Sequence, residues 1–213
     1  MIDLATLGLF LLAVLALFLS PGPNMAFVLA HGVAQGPRGG FAAAIGISAA
    51  DLVHTLCAAT GITALVAAWA PAFDLLRYAG ALYLLWLARK AWRDGGAAAP
   101  GTAAPAPAPF ARIVRQAWLN NLVNPKALLF FMLFLPQFVD PARGHVTLQL
   151  VLLGGVLSLA ALAFNTLLGA FSGQVGRWLQ RRPGAARLQH RLLAVAMLGL
   201  GLRLLMLDRP APR

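Results

Sequence analysis

The chain has 213 residues, 60% of them hydrophobic and 11% charged, with a mean hydropathy of +0.77. A soluble domain carries about 25% charge, so an ordinary water-soluble fold is excluded and an all-α, polytopic membrane protein is expected. The net charge of +11 comes from 17 basic residues against six aspartates, with no glutamate. The basic residues lie mostly between apolar runs, the arrangement that orients membrane proteins rather than one that grips nucleic acid.

Met1-Ile2-Asp3 lacks the basic region of a signal peptide, so the first apolar segment is expected to stay in the bilayer. Apolar runs predict six spans near 4–31, 40–68, 72–92, 116–138, 147–173 and 189–207. The stretch from Leu4 to Ala34 would measure about 46 Å as one straight helix, against a hydrocarbon core of about 30 Å. Ser20-Pro21-Gly22-Pro23-Asn24 interrupts it and frees backbone groups that the bilayer cannot satisfy. A broken membrane helix of this kind points to a transport site. Glycines at 32, 36, 40 and 46 allow close helix approach, with Pro37 marking part of that run as a turn. Gly199 and Gly201 offer the same in span six.

From Gly95 to Pro109 the sequence is Ala, Pro and Gly apart from Thr102, a semi-extended linker that cannot build a core. It divides a single transporter domain, 1–213, into a first half (1–93), a linker (94–110) and a second half (111–213). The second half repeats the device of the first, with Asn124-Pro125-Lys126 breaking its first span. Three spans per half force opposite orientations, so the expected architecture is six transmembrane helices in a 3+3 inverted repeat, inferred from layout alone. Eleven basic residues fall on the linker side and five on the other, which places the linker in the cytoplasm and both termini outside.

Asp51 is the costliest residue for a bilayer to hold: a carboxylate near mid-membrane costs at least a few kcal/mol unless paired, hydrated or protonated. It is either a substrate or proton group or structural glue to a neighbouring helix. Ser48, His54 and Thr55 share its helix face. His54 reads as a hydrogen-bonded residue or proton partner, since Asp51 and His54 are two donors where a metal site needs more. His31, His145 and His190 read as interfacial, and Trp69, Trp92, Trp118 and Trp178 as interfacial anchors. Lys126 opens an apolar run. It either snorkels to the interface or faces the cavity, to hold a carboxylate or pair with Asp51. Asn24 and Asn124 flank the breaks, and Asn165 with Thr166 stands in span five where Asp51 stands in span two. The single Cys57 excludes an internal disulfide and a thiolate cluster. Neither a resident cofactor nor a catalytic arrangement is expected.

Taken in order, Ser20-Pro21-Gly22-Pro23-Asn24, Gly36-Pro37-Arg38-Gly39-Gly40, Asp51-Leu52-Val53-His54 and Gly61 resemble the lysine exporter and homoserine/threonine exporter family of bacterial amino-acid efflux proteins. The run Tyr78 to Leu87, the island Asn120 to Lys126 and Leu135-Pro136-Gln137-Phe138 agree with it. The resemblance implies proton-driven export of a small amino acid across the bacterial cytoplasmic membrane. It also implies a pathway lined by Pro21, Gly22, Pro23, Asn24, Asp51, His54, Asn124, Pro125, Lys126 and Asn165. In the family it resembles, some exporters of basic amino acids carry a second membrane acid in span five, where this chain has Asn165, so a neutral substrate such as homoserine, threonine or leucine is favoured over a basic one. Export of a heavy-metal cation or another small metabolite is the alternative. The layout is compatible with a homo-oligomer.

Overall fold

The computed structural model describes residues 2–19, 22–62, 72–94 and 105–175, with 188, 191, 194, 195, 197–199, 201, 202, 205 and 206. Ser20 and Pro21, most of the linker, Trp69, Trp178, His190 and the basic run 177–187 lie outside the described residues. Helices α1 (Leu4–Leu19), α2 (Pro23–Cys57), α3 (Ala72–Asp94), α4 (Phe110–Leu122), α5 (Pro125–Leu129) and α6 (Val146–Ala170) follow one another, and the described residues contain no strand. A π turn, Ala58–Ile62, extends α2. The arm begun by α5 continues through a π turn, Phe130–Phe134, and a 3-10 turn, Leu135–Phe138.

Pro23–Gly61 and Val146–Ala170 are each long and apolar enough to cross a membrane, and the pair Phe110–Leu122 and Lys126–Phe138, bent by 56°, makes a third if counted as one span. Pro23–Gly61 is not a single rod. Gly36 has φ 67 and ψ −161, a left-handed conformation that glycine alone adopts freely, and Pro37 follows it. On a straight helix Asn24 and Asp51 would stand about 40 Å apart, yet both bond the Asn121 side chain. α2 is therefore a hairpin with arms 23–35 and 37–57.

This sharpens the expected boundaries. The first expected span runs on to the Gly36 turn instead of ending at 31. The fourth starts at Phe110 rather than 116, because the Pro109 carbonyl accepts from Arg112 and Ile113 and opens the helix there. His31, expected at the interface, is buried: it stacks on Phe27 at 4.1 Å, and the turn brings Gly39 against its carbonyl.

Glycines set the closest packing. A Cβ on Gly40 would lie 2.4 Å from the Gly169 Cα, and one on Gly154 would lie 2.3 Å from the Thr55 side chain. These two contacts run α2 and α6 antiparallel. Gly201 approaches Leu85, whereas Gly199 meets nothing within 4 Å, so only the former has the expected packing role.

The two broken segments also lie antiparallel. Asn24 meets Asn121 and Asn120, Gln35 meets Ala108, Leu17 meets Lys126, Phe10 meets Phe138 and Asp3 meets Arg143. Two apolar clusters result. One joins Phe10, Phe131, Phe138 and Leu153; the other joins Val28, Ala43, Ile113 and Leu168. Leu4, Leu12, Leu82, Leu159 and Met206 point outward, an apolar exterior that suits a bilayer.

Candidate functional site

Helix breaks cost backbone hydrogen bonds, and each break here supplies its own repair. α1 ends with carbonyls that have no intrahelical donor; Lys126 Nζ donates to the Leu17 carbonyl at 3.0 Å. Opposite charge at a helix C-terminus is also favoured by the helix dipole. At the second break, Asn124 caps the next helix by accepting from Lys126 N at 3.1 Å, and Pro125 takes the first helical position, where no N–H is needed. At the start of α2, Gly22 is extended and gives no side-chain cap, and Pro23 again takes the first helical position.

Asn121 joins the breaks to the aspartate. It is fully buried, with its Nδ2 donating to Asp51 Oδ1 at 2.8 Å and to the Ile47 carbonyl at 2.9 Å. Its Oδ1 accepts from Asn24 Nδ2 at 2.7 Å, and Asn120 Nδ2 reaches Asn24 Oδ1 at 3.1 Å. The Asn121 backbone carbonyl lies 3.2 Å from His54 Nε2. Buried polar groups require such partners, and one amide here serves two helix arms and a carboxylate.

A cavity of about 60 Å³ lies between the breaks, room for a handful of waters. Its polar wall is Asn24, Asp51, Asn124, Lys126 and Asn165; Phe18, Met25, Ile47, Phe131, Leu157 and Ala161 supply apolar wall. Leu157, Ala161 and Asn165 are spaced four apart and so share one face of α6. Gly22 and Pro23 line the cavity too. Of the ten residues expected on the pathway, seven line it: Gly22, Pro23, Asn24, Asp51, Asn124, Lys126 and Asn165. Pro21 lies outside the described residues. Pro125 occupies the first position of α5 at the second break, and His54 stands behind the wall, 5.4 Å from the Phe131 ring.

Asn121 was not among those ten. Its signal in the sequence was present, an Asn doublet inside an apolar helix, but only the packing of α4 against α2 makes it the partner of Asp51. Two hydroxyls, Ser48 Oγ and Thr166 Oγ1, are buried with no protein partner. Among the described residues, no three His, Cys, Asp or Glu side chains converge to hold a metal.

A polar cavity between helix breaks, in an apolar all-helical chain, defines a membrane transporter. The LysE type translocator family matches residues 15–208, and the chain belongs to that family. It is 34% identical to the leucine efflux protein of Enterobacter sp. (strain 638) over 192 residues, covering 87% of this chain and 88% of that protein. The leucine efflux protein of Salmonella typhimurium is 32% identical over 202 residues, covering 92% of each. An uncharacterized membrane protein of Vibrio cholerae serotype O1 is 34% identical over 197 residues, covering 92% of this chain and 94% of that protein. No solved structure matches the chain.

Proposed function

We propose that the chain exports a neutral amino acid, leucine or one near it in size, across the bacterial inner membrane in exchange for protons. The observation that carries this reading is the cavity between the two breaks, where Asp51 and Lys126 share a wall with apolar side chains. A zwitterion with an apolar tail needs that combination. Relatives named as leucine efflux proteins favour the neutral side-chain class.

In this mechanism the substrate ammonium sits on the Asp51 carboxylate. Its carboxylate meets Lys126 and the first-turn amides of Asn24 and Met25, which have no intrahelical acceptor at the start of α2. Substrate and proton compete for Asp51, and that competition is antiport: a proton arriving from outside displaces the substrate outward, and substrate arriving from the cytoplasm displaces the proton inward. The two halves act as inverted repeats of three spans, with both termini outside and the linker cytoplasmic. Their antiparallel broken segments support that arrangement.

The test is efflux from bacteria lacking their own exporters and loaded with a panel of dipeptides. The wild-type protein is expected to release leucine or a similar amino acid, and Asp51→Asn to release none at equal membrane abundance. Normal release by Asp51→Asn would eliminate the coupling role. Release of no amino acid by the wild-type protein would eliminate the substrate class.

A further inference from the structure

The two broken segments touch along their length, but the contact at one end differs in kind from the rest. Along the arms the contacts are aromatic edges, amides and the Lys126 ammonium on a carbonyl: Phe10 meets Phe138 at 5.1 Å, Gln35 Oε1 accepts from Ala108 N at 3.3 Å, and Lys126 Nζ donates to the Leu17 carbonyl at 3.0 Å. At the N-terminal end of α1 the contact is ionic. Arg143 Nη2 lies 3.2 Å from Asp3 Oδ2, and Arg143 Nε donates to Asp140 Oδ2 at 2.9 Å.

Each carboxylate is itself built into a rigid element. Asp3 caps α1, accepting from Thr6 N at 2.8 Å and Thr6 Oγ1 at 3.1 Å. Asp140 caps the turn Pro141–Arg143 through Ala142 N at 3.0 Å. That turn is pinned from below by the buried Gln149, which donates to the Asp140 and Gly144 carbonyls and accepts from Asp140 N. The arginine therefore ties the cap of one broken segment to the loop that follows the other. The pair is 43% and 44% exposed, so water and salt compete for it. A contact that parts in every cycle needs such weakness.

We propose that the Asp3–Arg143 ion pair is a latch: it holds α1 against the arm 125–138 while the cavity faces the opposite side, and it parts when the cavity opens toward the face that carries Asp3. This rests on the reading of the cavity as an alternating-access site. Lys126 and Leu17 at the inner end of the same two arms are the pivot, and the Phe10–Phe138 contact, with no hydrogen bond to break, slides.

The experiment uses the full chain with Cys57→Ser and Ala161→Cys, which places one reactive thiol on the cavity wall. Membrane vesicles of both orientations are treated with an impermeant maleimide. Asp3→Asn keeps an oxygen for the Thr6 amide, so it removes the charge and spares the cap. Asp3→Asn and Arg143→Gln are each expected to raise labelling from the Asp3 face about fivefold, the scale of an exposed ion-pair network. Their combination is expected to add little, because both remove the same interaction. Asp3→Cys with Arg143→Cys, in Cys57→Ser without the Ala161→Cys reporter and joined by a reducible bis-thiosulfonate about as long as the arginine side chain, is expected to block export until reductant is added. Equal labelling of wild type, Asp3→Asn and Arg143→Gln in both orientations overturns the latch, as does undiminished export by the fully cross-linked protein. Labelling needs no substrate, so a wild-type protein that exports no amino acid refutes the export reading while leaving the latch to stand or fall on its own data.

Discussion

Asn121 Nδ2 donates to Asp51 Oδ1 at 2.8 Å, joining a carboxylate on one side of the cavity to an amide on a helix 70 residues away. The same side chain accepts from Asn24, so both arms of the α2 hairpin are pinned to α4 through a single residue. Asn121→Ala is expected to lower thermal stability in detergent, since each buried polar group left without its partner costs about 1–3 kcal/mol. Asn121→Leu, of similar volume, loses the same bonds and is expected to behave alike. Unchanged melting of both would mean that water replaces the amide.

Lys126 is expected to carry two separable roles. Lys126→Met removes the donor to the Leu17 carbonyl and is expected to lower both the melting temperature and export. Lys126→Gln keeps an N–H donor but no charge; it should recover much of the melting temperature while leaving a raised KM for efflux. Equal KM values for Lys126→Gln and wild type would show that the lysine serves the helix end alone.

The glycine contacts give a graded packing test. Gly40→Ala and Gly169→Ala place a methyl against opposing backbone, each meeting it at 2.4–2.5 Å, and are expected to cost about 1–3 kcal/mol through forced helix separation. Gly155→Ala, with nothing within 4 Å, is expected to melt with the wild type. Gly36→Ala also meets open space, but φ 67 with ψ −161 makes it strained, so any loss there is conformational and about 1–3 kcal/mol. Thermal shift of the four purified proteins decides the ranking.

Asp3 sets the pH range of the outer tie. The Thr6 amide holds its carboxyl below the usual carboxylate range, with further lowering from the Thr6 hydroxyl and Arg143. A depressed folded value contributes stability above the unfolded pKa, which is lost as pH falls through the folded one. The Asp3–Arg143 contact is therefore expected to hold unchanged from pH 8 to pH 5 and to weaken only below about pH 4. Cavity labelling across that range, taken as the ratio of wild type to Asp3→Asn at each pH so that the reporter thiol's own titration cancels, measures it; a change in that ratio between pH 5 and pH 8 would assign the sensitivity to another group.

The sequence by itself determined the membrane class, the two breaks and most of the polar wall. Those rest on local physics. Apolar runs must be helices in a bilayer, prolines must break them, and a buried aspartate must find a partner, whatever the rest of the chain does. The family resemblance was legible for the same reason, since it resides in residues that the breaks demand. Tertiary structure decided which residues meet. Asp51 found its amide on α4, at Asn121; Lys126 found a carbonyl at the end of α1; His54 was set behind the wall by Phe131. Periodicity places a residue on a helix face but carries no information about the helix packed against it. Here that packing was chosen by the turn at Gly36 and by glycine contacts, such as Gly40 against Gly169, that only two particular helices could make.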